Sequence, residues 1–254
     1  MLTYDILTWT GWLALGFVRI SPVFYLLPFL NSDVLTGSVR NALIALVVIG
    51  LMPFHGDALP AVTGHIPFYS GLIVREFIVG ILLGLMLGVP FWAFHALGCI
   101  IDNQRGATIS SSMDPANGVE TSELAGFLNV FSAAIYLQRD GLVLMMRTLA
   151  DSYRIMPLTG EFHLALYPVL TLIGETVWNG AVLASPVLIT LLLTETVLGL
   201  LSRFAPQLNA FSVSMTVKSL IAIFVMLLYF GPELPHRMMA LAAPPSLARW
   251  ITGG

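Results

Sequence analysis

Charged side chains lie inside otherwise apolar segments, and six of them are the first candidates for chemistry. In a membrane, such groups carry protons or ions along a transport path, or they pair with each other as buried structural contacts. A bare charge in hydrocarbon costs roughly 3 kcal/mol on insertion scales, so each must face a protein interface, a watery pore or an opposite charge. The sequence leaves both interpretations open. The six are Arg19, Arg75, Glu76, Glu175, Glu195 and Lys218.

Glu195 and Lys218 can be paired from their positions. The apolar segment around them reads as a helical hairpin that turns at 203–209. Folding it about Pro206 and Gln207 places the two charges opposite each other, because each lies about eleven residues from the turn. We therefore predict a salt bridge inside the membrane or at an interface. Desolvation opposes the attraction in such a pair, so the pair need not stabilise the fold and can instead fix the register of the hairpin.

The sequence contains no motif for metal binding, phosphate binding or nucleophilic catalysis. The five histidines, at 55, 65, 95, 163 and 236, form no pair spaced four residues apart. A metal site needs convergent His, Cys or carboxylate ligands, so none is predicted. The chain has neither a Walker-type phosphate loop nor a Gly-x-Ser-x-Gly elbow. Ser110, Ser111 and Ser112 have no adjacent base. We predict no catalytic, cofactor-binding or metal-binding residue and no enzyme activity.

A polar segment, GCIIDNQRGATISSSMDPANG at 98–118, interrupts the apolar chain near its middle. Glycine and serine lower helix propensity, and the Asp114-Pro115 step disfavours a continuous helix. Irregular backbone persists within a membrane only when it is buried in protein or faces water. The segment is therefore either an exposed loop or a re-entrant element in an aqueous path.

Three glycines recur at every fourth residue after Glu76, at Gly80, Gly84 and Gly88. This spacing puts them roughly on one helix face, where the missing side chains permit close helix contact. Ordinary tight packing explains the pattern, and it also marks a face for assembly.

The composition indicates an all-α integral membrane protein. The 254 residues are 57% hydrophobic and 10% charged, whereas soluble domains are about one quarter charged. No segment alternates with period two. A net charge of −3 and a single lysine argue against a nucleic-acid partner. Pro186 can kink or divide the fifth of the apolar stretches. These stretches are 6–30, 39–54, 66–101, 124–150, 164–201 and 208–231.

Four stretches in order resemble one family. They are VRISPVFYLLPFL followed by Val39-Arg40, then REFIVGILLGLMLG, GCIIDNQRGATISSSMDP and LGLLSRFAPQLNAFSVSMTVKS. Over about residues 10–231 the chain is similar to the SctT/FliR family, the T (R-like) subunit of the type III secretion export apparatus. The MTVKS segment leans toward the injectisome (virulence) branch. The resemblance implies a non-enzymatic pore or gate subunit through which unfolded proteins are exported.

The resemblance also implies an architecture and partners. One export-apparatus domain, 1–254, is expected to contain an R-subunit-like part at about 1–160, an S-subunit-like hairpin at about 164–231 and a tail at 232–254. The chain would join about five R and about four S subunits in a helical complex. This gate would lie in the bacterial inner membrane as a multi-pass assembly partly raised toward the periplasm. Its other expected contacts are the U subunit, the inner rod or needle protein, exported polypeptides and lipid.

In this family the stretch after the ID-x-Q motif forms a pore plug, which corresponds here to 106–122. The plug residues implied by the resemblance are Gly106, Ser110, Ser111, Ser112, Met113, Asp114, Pro115, Asn117 and Gly118. The residues expected at subunit contacts or in the channel wall are Arg19, Pro22, Arg75, Glu76, Gly80, Gly84, Gly88, Asp102, Gln104, Pro206, Gln207 and Asn209.

Two other functions remain as alternatives from the sequence. A proton-coupled small-solute transporter would use Glu175, Glu195 and Lys218 as coupling charges, and it predicts an inverted internal repeat, which the sequence does not show. An intramembrane enzyme would depend on a single polar residue such as Ser111 or Asp102.

Overall fold

The fold is all-α, as the composition predicts. A computed structural model describes residues 2–31, 34–52, 66–106, 122–158, 166–204, 210–230 and 233–242. Every regular element in these ranges is a helix. The helices are α1 (Leu2–Leu26), α2 (Gly37–Leu51), α3 (Ile66–Arg105), α4 (Glu123–Gln138), α5 (Gly141–Ile155), α6 (Leu166–Phe204), α7 (Ala210–Phe230) and α8 (Leu234–Ala242).

Pro186 lies inside α6 and does not divide it. A proline in a helix lacks the N–H that would bond to the carbonyl four residues earlier. That carbonyl belongs to Val182, and it accepts a hydrogen bond of 2.7 Å from the Ser185 hydroxyl instead. Serine side chains commonly satisfy backbone groups freed by proline in membrane helices. The helix therefore continues for 39 residues.

The apolar stretch 124–150 is not one helix, because it breaks at residues 139–140 into α4 and α5. Asp140 has a left-handed backbone with φ of 59°, a conformation that aspartate tolerates better than most residues. Gly141 follows it and is packed against the Tyr136 side chain, where a Cβ would collide with the ring. The charge-bearing α5 is thereby separated from the apolar α4.

The chain divides into two compact units that interleave in sequence. The first comprises Met1–Val89, Tyr136–Ile173 and Ala242–Gly254, and the second comprises Pro90–Ile135 and Gly174–Leu241. The division at about 160 implied by the resemblance stays a prediction.

In the first unit, α1 packs on α2. The buried face of α2 consists of Arg40, Ile44, Val48 and Leu51, a spacing of three or four residues that aligns them on one side of a helix. A separate apolar cluster joins Leu15, Leu72 and Leu158, with Trp12 against it.

In the second unit, small residues allow close helix contact. Gly98 on α3 lies against the backbone of Ala125 on α4. Gly180 on α6 faces Ala96 on α3, and a Cβ built on it would lie 2.9 Å from the Ala96 methyl group.

Two of the described helices are long and apolar enough to cross a membrane, Ser70–Arg105 and Leu170–Phe204. A third span results if Val213–Tyr229 and Leu234–Ala242, which meet at a bend of 69°, are counted together. In the most apolar 18 residues of each helix, 67% are buried in the first helix and 22% in the second. Most of α6 therefore presents apolar side chains to its surroundings.

Candidate functional site

Arg19 and Glu76 form a fully buried ion pair in the first unit, with no exposed surface on either side chain. Arg19 Nε donates to Glu76 Oε2. Its Nη2 donates to the Met156 carbonyl at 2.9 Å, and its guanidinium carbon lies 4.1 Å from the centre of the Tyr153 ring. A buried charge is tolerated when it is paired and its remaining donors are bonded. Arg19 therefore joins α1, α3 and the end of α5.

Arg75, the residue before Glu76, binds the segment that follows α5. Its Nη1 donates to the Leu158 carbonyl at 2.8 Å and its Nη2 to the Pro157 carbonyl at 2.7 Å. The last carbonyls of a helix carry partial negative charge and lack partners within the helix. Arg19 and Arg75 supply cationic donors just beyond this helix end, which fixes 156–158 in place.

Tyr153 on α5 is buried beside the Arg19 guanidinium. Burial raises the pKa of its hydroxyl, with a smaller opposing effect from the Arg19 charge. Tyr153 therefore stays neutral, and its ring provides a face for the Arg19 cation.

The glycines after Glu76 lie where α3 meets α1. A Cβ on Gly80 would run into the Arg19 carbonyl oxygen, and one on Gly84 would lie 2.6 Å from the Leu26 side chain. Pro22 is buried at the same contact, and its ring lies 3.0 Å from the point that a Cβ on Gly80 would occupy. Gly88 is buried further along the same helix. Within this chain, Gly80 and Gly84 bring α1 and α3 together.

Glu195 on α6 and Lys218 on α7 form the ion pair that their equal separation from the hairpin turn predicts. Lys218 Nζ lies 3.0 Å from Glu195 Oε2. The lysine side chain is 10% exposed and the glutamate side chain 55% exposed. The pair therefore has a buried cation and an anion at the surface. Glu175, another of the six charges in apolar segments, is exposed on α6.

Asp102 accepts hydrogen bonds from the end of α3 and from the start of α4. Its Oδ1 accepts from Arg105 Nε at 2.7 Å. Its Oδ2 accepts from the Ser122 hydroxyl at 2.7 Å and from the Leu124 N–H at 3.0 Å. Only 1% of Asp102 is exposed. Gln104, in the same helical turn, is half-buried.

Much of the predicted plug lies outside the described residues, which include only its first and last positions, Gly106 and Ser122. Gly106 has φ of 79° and ends α3 in the left-handed conformation that glycine adopts without strain. Two sets of predicted residues lie outside the described residues. In 107–121 they are Ser110, Ser111, Ser112, Met113, Asp114, Pro115, Asn117 and Gly118, and in 205–209 they are Pro206, Gln207 and Asn209.

Sequence reasoning identified the charges of the first unit without joining them. It missed the pairing of Arg19 with Glu76, which are 57 residues apart. It also missed the Tyr25 hydroxyl as an acceptor for the buried Arg40, at 2.9 Å. A signal was present for the first pair, because Glu76 was the one acidic residue among the three charges in the first and third apolar stretches.

Known proteins resemble this chain over nearly its whole length. The family described as "Bacterial export proteins, family 1" matches residues 11–242. "Surface presentation of antigens protein SpaR" of Salmonella typhimurium is 54% identical over 94% of this chain and 90% of its own length. "Yop proteins translocation protein T" of Yersinia pestis is 30% identical over 88% of this chain and 87% of its own.

A flagellar protein is also similar. "Flagellar biosynthetic protein FliR" of Escherichia coli is 30% identical over 93% of this chain and 88% of its own length. Because the family match covers both structural units and extends from α1 to α8, the chain belongs to family 1 of the bacterial export proteins.

Proposed function

We propose that this chain is the T subunit of a type III secretion export apparatus of the injectisome branch. The observation that carries the proposal is the 54% identity to a surface-presentation protein along almost the entire chain. The identity to a flagellar relative is 30%, so the chain is nearer the secretion branch than the flagellar one. Its role is structural: it forms part of the inner-membrane channel through which unfolded proteins leave the cell.

The arrangement of charges supports a structural role over a transporter. Of the six charges in apolar segments, Glu175 is exposed and the other five are held in contacts: Arg19 and Glu76 neutralise each other in the first unit, and Glu195 and Lys218 pair in the second. Arg75 binds backbone carbonyls. A proton-coupled transporter needs charges that exchange protons along a path, whereas these five groups hold helices and a helix end in place.

The exposed surface of the second unit supports assembly with other helical subunits. Large apolar side chains on α6 are half or more exposed, among them Trp178, Leu193, Val197 and Phe204. Exposed apolar surface of this extent marks contact with protein or lipid. Glu195 lies on the same helix with more than half of its side chain exposed, and a charge there is costly against lipid alone. Neighbouring subunits therefore suit this helix better than hydrocarbon.

R and S subunits are the proposed neighbours, about five and about four copies in one helical complex with a single copy of this chain. The U subunit would bind from the cytoplasmic side, and the inner rod or needle protein would build on the distal side. Within the complex, segment 106–122 would close the pore as a plug. Its small and hydroxylated residues suit an aqueous channel, because they can bond with water or with each other.

Co-expression with the R- and S-like genomic neighbours, followed by native mass measurement in detergent, tests the assembly. We expect one large species that contains a single copy of this chain. Recovery of the chain only as a monomer or dimer, with the other subunits absent, would refute the proposal and would direct attention to solute uptake.

Deletion of 107–121 tests the plug within that complex. This deletion keeps Gly106 and Ser122, so the described helix ends remain. We expect the complex to assemble and the leak of ions or small solutes to rise. An unchanged leak in a fully assembled complex would refute the plug while leaving the subunit assignment intact.

A further inference from the structure

The first turn of α2 contains a buried arginine that is not part of any ion pair among the described residues. We propose that Arg40 and the N-terminus of α2 bind the phosphate of an anionic phospholipid, whose acyl chains lie along the exposed apolar side of the same helix. The proposal concerns how the first unit contacts the membrane, and it does not depend on the export role.

Arg40 has donors that the chain leaves unbonded. Its Nη2 donates to the Tyr25 hydroxyl at 2.9 Å, whereas Nε and Nη1 are buried without a hydrogen-bond partner. The whole residue is 6% exposed. A buried guanidinium in this state is costly, because neither water nor an opposite charge replaces its lost hydration. An anion bound beside Arg40 would remove that cost.

The Tyr25 ring compensates for the missing anion only in part. The guanidinium carbon of Arg40 lies 4.0 Å from the centre of the ring. An aromatic face attracts a cation but carries no net charge, so the positive charge is not neutralised. Tyr25 is 51% exposed, and exposed side chains change rotamer readily. When the ring turns aside, the guanidinium and its two unbonded donors become accessible to a ligand.

The helix that carries Arg40 adds to the positive potential. Arg40 is the fourth residue of α2, and side chains in a helix lean toward its N-terminus. Thr36, the N-cap residue, makes no side-chain bond to the first turn, and that turn contains no acidic residue. The first N–H groups of a helix lack partners within it and carry partial positive charge. The guanidinium and the helix N-terminus therefore favour the same kind of ligand, an anion.

A phosphate suits these donors. Its oxygens accept paired hydrogen bonds from the planar fork of a guanidinium. Helix N-termini bind phosphate groups for the reasons of charge and free N–H groups already given. The Tyr25 hydroxyl supplies a further polar group next to the Arg40 side chain.

The surroundings favour a lipid phosphate over a soluble one. Exposed apolar side chains begin in the turn that holds Arg40 and continue along one face of α2 as Val39, Leu43 and Leu46. The residues before them, 36–38, are small or polar and exposed. Arginine and tyrosine side chains are typical of such a boundary, where their polar ends lie at the level of lipid headgroups. A headgroup at Arg40 and acyl chains on the adjacent apolar face match this arrangement.

Native mass measurement tests the site directly. The chain is purified in the assembly that it forms, stripped of lipid and then supplied with phosphatidylglycerol. We expect Arg40→Met to retain one phosphatidylglycerol molecule fewer per copy of this chain than the parent. Arg147→Met is the matched control, since Arg147 is exposed on α5, and it should retain as many as the parent. Equal retention by Arg40→Met and the parent would overturn the proposal.

Thermal unfolding separates lipid binding from a purely structural role of Arg40. Without phosphatidylglycerol, Arg40→Met should unfold at the temperature of the parent or above it, because the substitution removes an uncompensated buried charge. Added phosphatidylglycerol should raise the unfolding temperature of the parent more than that of the variant. An equal loss of stability in Arg40→Met with and without the lipid would show that the arginine acts only through Tyr25, and the lipid site would be wrong.

Two further ligands identify the group that is recognised. Diacylglycerol with the same acyl chains lacks the phosphate, and glycerol 3-phosphate lacks the acyl chains. At equal concentration each should raise the unfolding temperature of the parent less than phosphatidylglycerol does. A rise as large with diacylglycerol would show that acyl contacts suffice, and one as large with glycerol 3-phosphate would show a site for soluble phosphate. Either result would overturn the lipid phosphate as the ligand.

Arg40→Lys keeps the test decisive if Arg40→Met cannot be purified. Lysine retains the charge but loses the planar fork, so its affinity for phosphatidylglycerol should fall about tenfold. A parent that does not respond to phosphatidylglycerol, combined with failure of both variants to assemble with co-expressed subunits, would assign the missing anion to a neighbouring subunit. That outcome would overturn the lipid site and would leave the export-subunit assignment intact.

Discussion

At the residue scale, Arg19 shows how this chain keeps charges inside an apolar interior. Its guanidinium meets a carboxylate on α3 and, at the end of α5, a backbone carbonyl and an aromatic ring. Removing one partner of a buried ion pair leaves the other unpaired in a medium that solvates it poorly, which costs about 3–5 kcal/mol. Replacing both partners with apolar residues costs much less, because no bare charge remains.

We therefore predict that Arg19→Met and Glu76→Met each lower the thermal stability of the purified complex strongly, whereas the double variant recovers much of the loss. Thermal unfolding in detergent, with abundance in the membrane as a second readout, measures this. Arg154→Ala is the control, because its bond to Asp151 is 3.5 Å long and both side chains are more than half exposed. Pairs of that kind contribute less than about 1 kcal/mol. An equal loss in the control would contradict the argument.

The Glu195–Lys218 pair can be tested by exchanging its two charges. Glu195→Lys and Lys218→Glu each place like charges 3.0 Å apart at a site where the parent has opposite ones. We expect both single variants to reduce the yield of assembled complex and the exchanged double variant to restore part of it. Native mass measurement gives the yield. A double variant no better than either single one would show that the surroundings of each charge, and not their pairing, determine the yield.

The two ion pairs also show what sequence can predict at this scale. Glu195 and Lys218 belong to adjacent helices with a short turn, so counting residues from the turn gives their register. Arg19 and Glu76 lie 57 residues apart on α1 and α3, and their contact depends on how these two helices pack. Asp102 and Ser122 lie 20 residues apart across a segment with no regular pattern, so spacing carries no information about their meeting.

At the scale of elements, hydrophobicity predicted most of the helices and local chemistry decided where they end. The apolar stretch 164–201 becomes one helix because Ser185 satisfies the carbonyl that Pro186 frees. The stretch 124–150 becomes two because Asp140 takes a left-handed conformation. Each outcome depends on one side chain, and the mean hydropathy of a stretch is insensitive to a single side chain.

The glycines of α3 offer a matched comparison on one helix. Gly80→Ala places a methyl group against the Arg19 carbonyl, and overpacking of this kind costs about 1–3 kcal/mol. Gly71→Ala meets nothing within 4 Å and gains up to about 1 kcal/mol of helix propensity. We predict a lower unfolding temperature for the first and an equal or higher one for the second. Equal losses at the two positions would place the cost in the helix itself and not in its contact with α1.

At the scale of the whole molecule, α6 is longer than a single membrane span requires. Its portion in the second unit, 174–204, would measure roughly 46 Å at 1.5 Å per residue, while the hydrocarbon core of a bilayer is about 30 Å thick. The surplus length needs cover from tilt or from protein. Partner subunits would provide that cover, in keeping with the proposed assembly.

We predict that the chain has a short lifetime when it is made without its partners. Its exposed apolar face and half-exposed Glu195 would remain uncovered, which favours aggregation and degradation. Pulse-chase labelling with and without the R- and S-like subunits measures the half-life, with an unrelated membrane protein as the control for general proteolysis. Equal half-lives under both conditions would show that the chain is stable without those contacts.

The junction of α3 and α4 has a consequence for sequence change. Because Asp102, Arg105 and Ser122 hold the helix ends from outside 107–121, substitutions and insertions within that segment leave the holding contacts untouched. Such a segment can drift in composition or gain residues while both helices keep their places.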